Sequence, residues 1–108
     1  MEPTAAELRR MGLKVIASES KSVVTPGTAI NPTSNTNAVF VRVINNNTTA
    51  LVTVGMQDAE VDGSVVPMLG FVLGAYASRT FAINDDASEV FIDADTASTQ
   101  VSIEIFGR

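Results

Sequence analysis

The sequence contains no cysteine, no histidine and no tryptophan, and a single tyrosine. Each absence closes off chemistry. Without cysteine there are no disulfides, no thiolate metal sites and no cysteine nucleophile. Without histidine the chain lacks the commonest metal ligand and the only side chain whose unperturbed pKa lies near neutrality. Positive charge is also scarce, with 7 Lys and Arg against 12 Asp and Glu and a formal net charge of −5. Broad binding to a phosphate backbone needs clustered cations, so nucleic acid is not an expected partner. No apolar run approaches the ~20 residues of a membrane helix. The most apolar stretch, residues 65–77, is broken by Pro67, Gly70 and Gly74. Met1-Glu2-Pro3-Thr4 places an acid where a signal peptide carries positive charge, so the expectation is a chain made in the cytoplasm, with no membrane partner.

What is present is 108 residues, 45% of them hydrophobic. That length makes one domain, large enough to bury roughly 65% of its unfolded surface. Three zones follow one another. Residues 1–12 read as a short helix: Thr4 and Glu7 have capping-box spacing, Leu8 and Met11 share a face, and Gly12 suits the left-handed residue that ends a helix. Such a short helix is stable only when docked. Residues 13–37 begin as a strand over 13–17 and then turn polar, with Pro26-Gly27, Asn31-Pro32 and a Thr/Ser/Asn cluster at 33–37. They read either as a surface loop or as an extended arm that orders against a partner. The division expected is therefore 1–37 as helix and extended arm, and 38–108 as a β-sandwich domain.

Residues 38–106 alternate with period 2. Val39, Val41 and Val43 line one face of a strand over 38–44, and Asn45-Asn46-Asn47 supplies a turn. Further strands are expected over 50–56, 65–73, 77–83, 89–94 and 99–106, with Asp62-Gly63 as the strongest hairpin signal. Turn signals every ~8–12 residues point to an all-β, antiparallel β-sandwich of seven or eight strands, jelly-roll or immunoglobulin-like.

Two acidic groups are the places to look for chemistry. Asp58-Ala59-Glu60-Val61-Asp62-Gly63 matches the front of a calcium loop, but the twelfth position, which needs a bidentate Glu, is Leu69. The same spacing describes a solvated acidic row on a strand, leaving weak calcium binding at Asp58, Glu60 and Asp62 as the lesser reading. Asp85, Asp86, Glu89, Asp93 and Asp95 form the second group, read as a charged edge that blocks stray strand pairing. No catalytic triad or phosphate loop is spelled out, so a non-enzymatic role is expected, with no cofactor, metal or small-molecule substrate. Arg42 and Arg79 lie within strands, where an Arg either reaches a carboxylate across the sheet or anchors a subunit interface. Phe40 and Phe91 oppose the Val faces of their strands, so one sheet is expected to be covered twice, by the N-terminal helix or by another subunit.

The run Val-Phe-Val-Arg-Val-Ile-Asn-Asn-Asn-Thr-Thr-Ala-Leu-Val-Thr-Val, residues 39–54, resembles small virion proteins of tailed bacteriophages. In these a V-R-V-x-N strand, a polar turn and an L-V-T-V strand open a compact sandwich. Residues 77–83, the acidic turn after them, and residues 90–94 and 101–105 are similar in the same way. The resemblance implies a capsid decoration (cement) protein, with a head–tail connector or tail protein as the alternative. It implies a location in the virion, with the major capsid protein, other virion proteins and further copies of the chain as partners. The interface residues expected are Phe40, Arg42 and Arg79 in strands, and Asn31, Pro32 and Asn37 in the arm. A free-standing binding module, such as an adhesin or carbohydrate-binding domain, is the reading from another class.

Overall fold

Alternating apolar side chains over residues 38–106 do form strands, and these stack as two antiparallel sheets. The computed structural model describes residues 2–108; Met1, the first residue of the expected helical segment, lies outside the described residues. In chain order the elements are α1 (Ala5–Arg10), β1 (Lys14–Val23), β2 (Phe40–Asn45), β3 (Val52–Gly55), a 3-10 turn (Asp58–Glu60), β4 (Phe71–Leu73), β5 (Ser78–Ala82), a second 3-10 turn (Ala87–Glu89), β6 (Phe91–Ala94) and β7 (Thr99–Gly107). One sheet runs β1-β7-β2-β5 and the other β4-β3-β6.

The pairing pattern identifies the winding. Ile30 forms a single antiparallel bridge with Ile92 of β6, two backbone hydrogen bonds of 2.8 Å each, and acts as a rudimentary strand between β1 and β2. Counted with it, first pairs with last (β1 with β7), second with seventh (Ile30 with β6), third with sixth (β2 with β5) and fourth with fifth (β3 with β4). The chain is one long hairpin rolled up, which brings β2 against β7 and β3 against β6. This is jelly-roll order. An immunoglobulin-like sandwich would instead set its first strand beside its second.

The core lies between the sheets. Val41, Val43, Ile103 and Ile105 face inward from the first sheet, and Val52, Val54 and Ile92 from the second, all essentially inaccessible to solvent. Each such side chain contributes about 1.5–3 kcal/mol by leaving water. A second, smaller cluster sits on the outer face of the first sheet. There α1 lays Leu8 and the following Leu13 over Phe106, with Phe40 beside them. The capping box at Thr4 and Glu7 forms, Gly12 takes φ +77°, and Arg9 and Arg10 stand in the last turn, where cations suit the helix dipole. The second covering expected from Phe40 is thus the chain's own helix. Met11, by contrast, is exposed.

Within residues 13–37, the segment Lys14–Val23 is a strand of the first sheet rather than an extended arm. β1 pairs with β7 from Lys14↔Gly107 to Val23↔Thr99, Val23 is fully buried, and Ile30 and Pro32 pack inward. The strand is hard to see in the sequence because it is an edge: Ser18 and Ser20 face solvent, and one hydrogen-bonding side has no neighbour. The Asp62-Gly63 pair does not close a two-residue hairpin either. Asp62 and Leu69 exchange backbone hydrogen bonds of 3.1 and 3.0 Å, so residues 63–68 form the loop. The strand expected over 65–73 shrinks to β4, since Pro67 has no N–H for a ladder.

Candidate interaction surfaces

Period-2 alternation decides which side chains β2 turns outward. Because Val41 and Val43 point into the core, Phe40, Arg42 and Ile44 face away from it. Register then sets Arg42 between Glu104 of β7 and Thr80 of β5. Its guanidinium pairs with Glu104 at 3.4 Å and donates to the Ser78 hydroxyl at 3.3 and 3.4 Å. A half-exposed pair of this kind adds ~0–1 kcal/mol. Arg42 therefore reaches a carboxylate within its own sheet, and Phe40 is half-buried beside α1.

Arg79 faces the other way. It pairs with Val43 and so shares the inward side of β5 with Phe81. At the open margin between the two sheets its guanidinium lies 3.8 Å from the ring centre of Phe71 in β4 and 5.8 Å from that of Phe81. A cation over an aromatic face contributes about 0.5–1 kcal/mol at an exposed site. Here it ties the edge strand of one sheet to the edge strand of the other.

Two of the remaining expected interface residues are turned inward. Asn31 donates from Nδ2 to the carbonyls of Ser88 (3.1 Å) and Val90 (2.9 Å), and its own carbonyl accepts from Lys21 Nζ at 2.9 Å. Pro32 is buried next to it. Asn37 is exposed, with its backbone N–H donating to Asn35 Oδ1 at 3.0 Å. The structure thus groups Phe40 with Arg42, sets Arg79 on a separate margin, and uses Asn31 and Pro32 to fasten the Ile30 segment to β6.

Two buried polar residues escaped the sequence reading. Asn45 ends β2 with no solvent exposure, donating from Nδ2 to Ala50, Leu73 and Gly74 carbonyls at 2.8–3.0 Å and accepting at Oδ1 from Asn47. It knots two turns together. Asp93, expected to be solvated, is fully buried on the outer face of the second sheet. Its Oδ2 accepts the backbone N–H of Gly27 (2.9 Å) and of Gly63 (2.7 Å), while Oδ1 is buried without a partner. Neighbouring Thr53 donates to the Leu69 carbonyl at 2.6 Å. These contacts hold the turn at 25–28 and the loop at 62–69 down over that face. Gly63 lies so close to the Ala94 backbone that no Cβ would fit.

The acidic groups serve the fold. Asp58 and Glu60 sit in a 3-10 turn, and Asp62 is held below its ordinary pKa by the Ser64 hydroxyl and amide. Among the described residues no three carboxylates converge in a cage for a cation. Asp86 caps the second 3-10 turn and reaches across to residues 34 and 35. Donation from the Ser34 hydroxyl, and then from the Ser88 and Asn35 amides, pulls its carboxyl down to about 2. Glu89 is lowered by the amides of Asp86 and Asp85.

The least expected surface is the loop itself. Val65, Val66, Pro67 and Leu69 are exposed, Val66 at 99%. Val65, Val66 and Pro67, with Met68, Leu51 and Val72, border a shallow, mainly apolar groove of about 340 Å³. Single exposed apolar residues are ordinary; here several stand together beside one groove. No family model matches the chain, and no curated protein matches it. What the surface presents is exposed apolar side chains, an aromatic–cation margin and open strand edges.

Proposed function

We propose that the chain is a non-enzymatic structural protein of a bacteriophage virion, a capsid decoration protein that braces the lattice by surface contact. The observation that carries this is the apolar loop over residues 65–69, anchored at its ends by hydrogen bonds to Asp93 and Thr53 yet covered by nothing in the chain itself. Such anchoring matters because a contact repeated by symmetry gains most when its parts are ordered beforehand. The jelly-roll frame is one that capsid domains use, and the strand–turn–strand run from Val39 to Val54 resembles phage virion proteins. A place in the connector or tail is the alternative within the same class. The test is whether purified particles contain the chain, and in how many copies.

A second reading rests on one other feature. Tyr76 is 63% exposed and holds φ +56°, and it follows β4, whose Phe71 is also exposed. Exposed rings are what a carbohydrate-binding module uses, and a chain absent from particles but retained on a glycan surface would favour that reading.

A further inference from the structure

Charge is unevenly spread along this chain. Of its seven cations, five lie within residues 1–42, one is the C-terminal Arg108, and Arg79 is the only one between residues 43 and 107. The fold converts that unevenness into two opposed surfaces. Arg9, Arg10 and Lys14 are exposed at the corner where α1 meets β1, and the Lys14↔Gly107 pairing sets Arg108 next to them. Among the described residues none of these four makes an ion pair. Exposed apolar residues alternate with these cations along the chain: Met11 is 49% exposed and Val15 45%. A recess of about 240 Å³ opens there, bordered by Arg9, Lys14 and Val15 and, on its far side, by the paired Arg42 and Glu104.

The apolar loop has the opposite rim. Asp58, Glu60 and Asp62 precede it, and Asp95 borders its groove. α1 sits on the outer face of one sheet, and the loop sits on the outer face of the other. The two surfaces point in opposite directions and cannot meet within one molecule.

We propose that they meet between molecules: the loop at residues 63–69 of one copy seats on the α1–β1 corner of a second copy, head to tail. Val66 supplies the apolar knob, Met11 and Val15 the apolar floor, and the carboxylates around the loop face Arg9, Arg10 and Lys14. Opposite charge orients the encounter and selects this register, while apolar burial holds it. Because the surfaces differ, the contact is heterologous, and it propagates to a ring or an open chain rather than stopping at a dimer. This follows from fold and charge alone and does not depend on the virion reading.

The test is sedimentation velocity and light scattering on the full chain and two variants. Val66→Asp blocks the loop, and the double substitution Arg10→Glu, Lys14→Glu blocks the corner. All three sites are exposed, and matching thermal melts confirm that the variants fold. Wild type is expected to form species larger than a dimer that weaken at least tenfold in 0.5 M salt. Each variant alone is expected to be monomeric, and an equimolar mixture to give a dimer and nothing larger. Three results would overturn the proposal: a wild type that stays monomeric, a corner variant that assembles like wild type, or a mixture that stays monomeric. The first would point to a different protein as the loop's partner, and the second to loop-on-loop pairing.

Discussion

Asp93 shows how much one side chain can organise. A carboxylate with no solvent contact is costly unless hydrogen-bonded, and here one oxygen takes two backbone amides from loops far apart in sequence. Those amides in turn have no solvent to fall back on at Gly63. Asp93→Ala is therefore expected to cost about 2–4 kcal/mol in chemical denaturation, while Asp93→Asn, which keeps an acceptor for both amides, costs less. Equal losses for the two would contradict the account. Nothing in the sequence separates Asp93 from its exposed neighbour Asp95, since both occupy the same side of an alternating strand. Burial came from the loops laid over that side, which is long-range information. Asn45 was hidden for the same reason, because a triplet of asparagines reads as a solvated turn. Thr4, Glu7 and Gly12 were legible because a helix cap is decided within four or five residues.

At the scale of elements, short-range pattern located β2, β3, β5, β6 and β7, caught only the first residues of β1, and overran β4. β2, β3, β6 and β7 have apolar partners on one face throughout, so alternation marks them; β1 is an edge whose polarity matches a loop. The consequence is testable by truncation. Removing residues 1–37 strips β1 and the Ile30 bridge from the roll and is expected to prevent folding. Removing residues 2–12 should leave a folded roll, less stable by about 1.5–3 kcal/mol for the lost burial of Leu8 alone. Circular dichroism and limited proteolysis distinguish the two, and a folded 38–108 fragment would restore the separate-arm view. The second 3-10 turn carries a pH signature. Asp86 has a folded pKa of about 2 against an ordinary 3.8, so its contribution is complete above the higher value and is lost as pH falls through the lower. The stability gap between wild type and Asp86→Asn should therefore shrink between about pH 4 and about pH 2. A gap that stays constant across that range would mean the Ser34, Asn35 and Ser88 donors do not act on charge.

For the whole molecule, the rolled hairpin explains why α1 and the apolar loop end up back to back. Consecutive segments cross between sheets, so α1, early in the chain, and the loop before β4 are carried to opposite outer faces. The all-β sandwich was legible in the period-2 pattern, whereas the jelly-roll order was not, because it depends on which distant strands pair. The two opposed surfaces and the aromatic–cation margin are the features on which the proposed lattice role rests. The most direct measurement is quantitative mass spectrometry of purified particles from the source, counting this chain against the major capsid protein. A ratio on the order of one to one is the predicted result, because symmetry repeats the same contact across a lattice. On the order of a dozen copies or fewer would move the chain to the connector or tail, and its absence from particles would contradict the virion account outright.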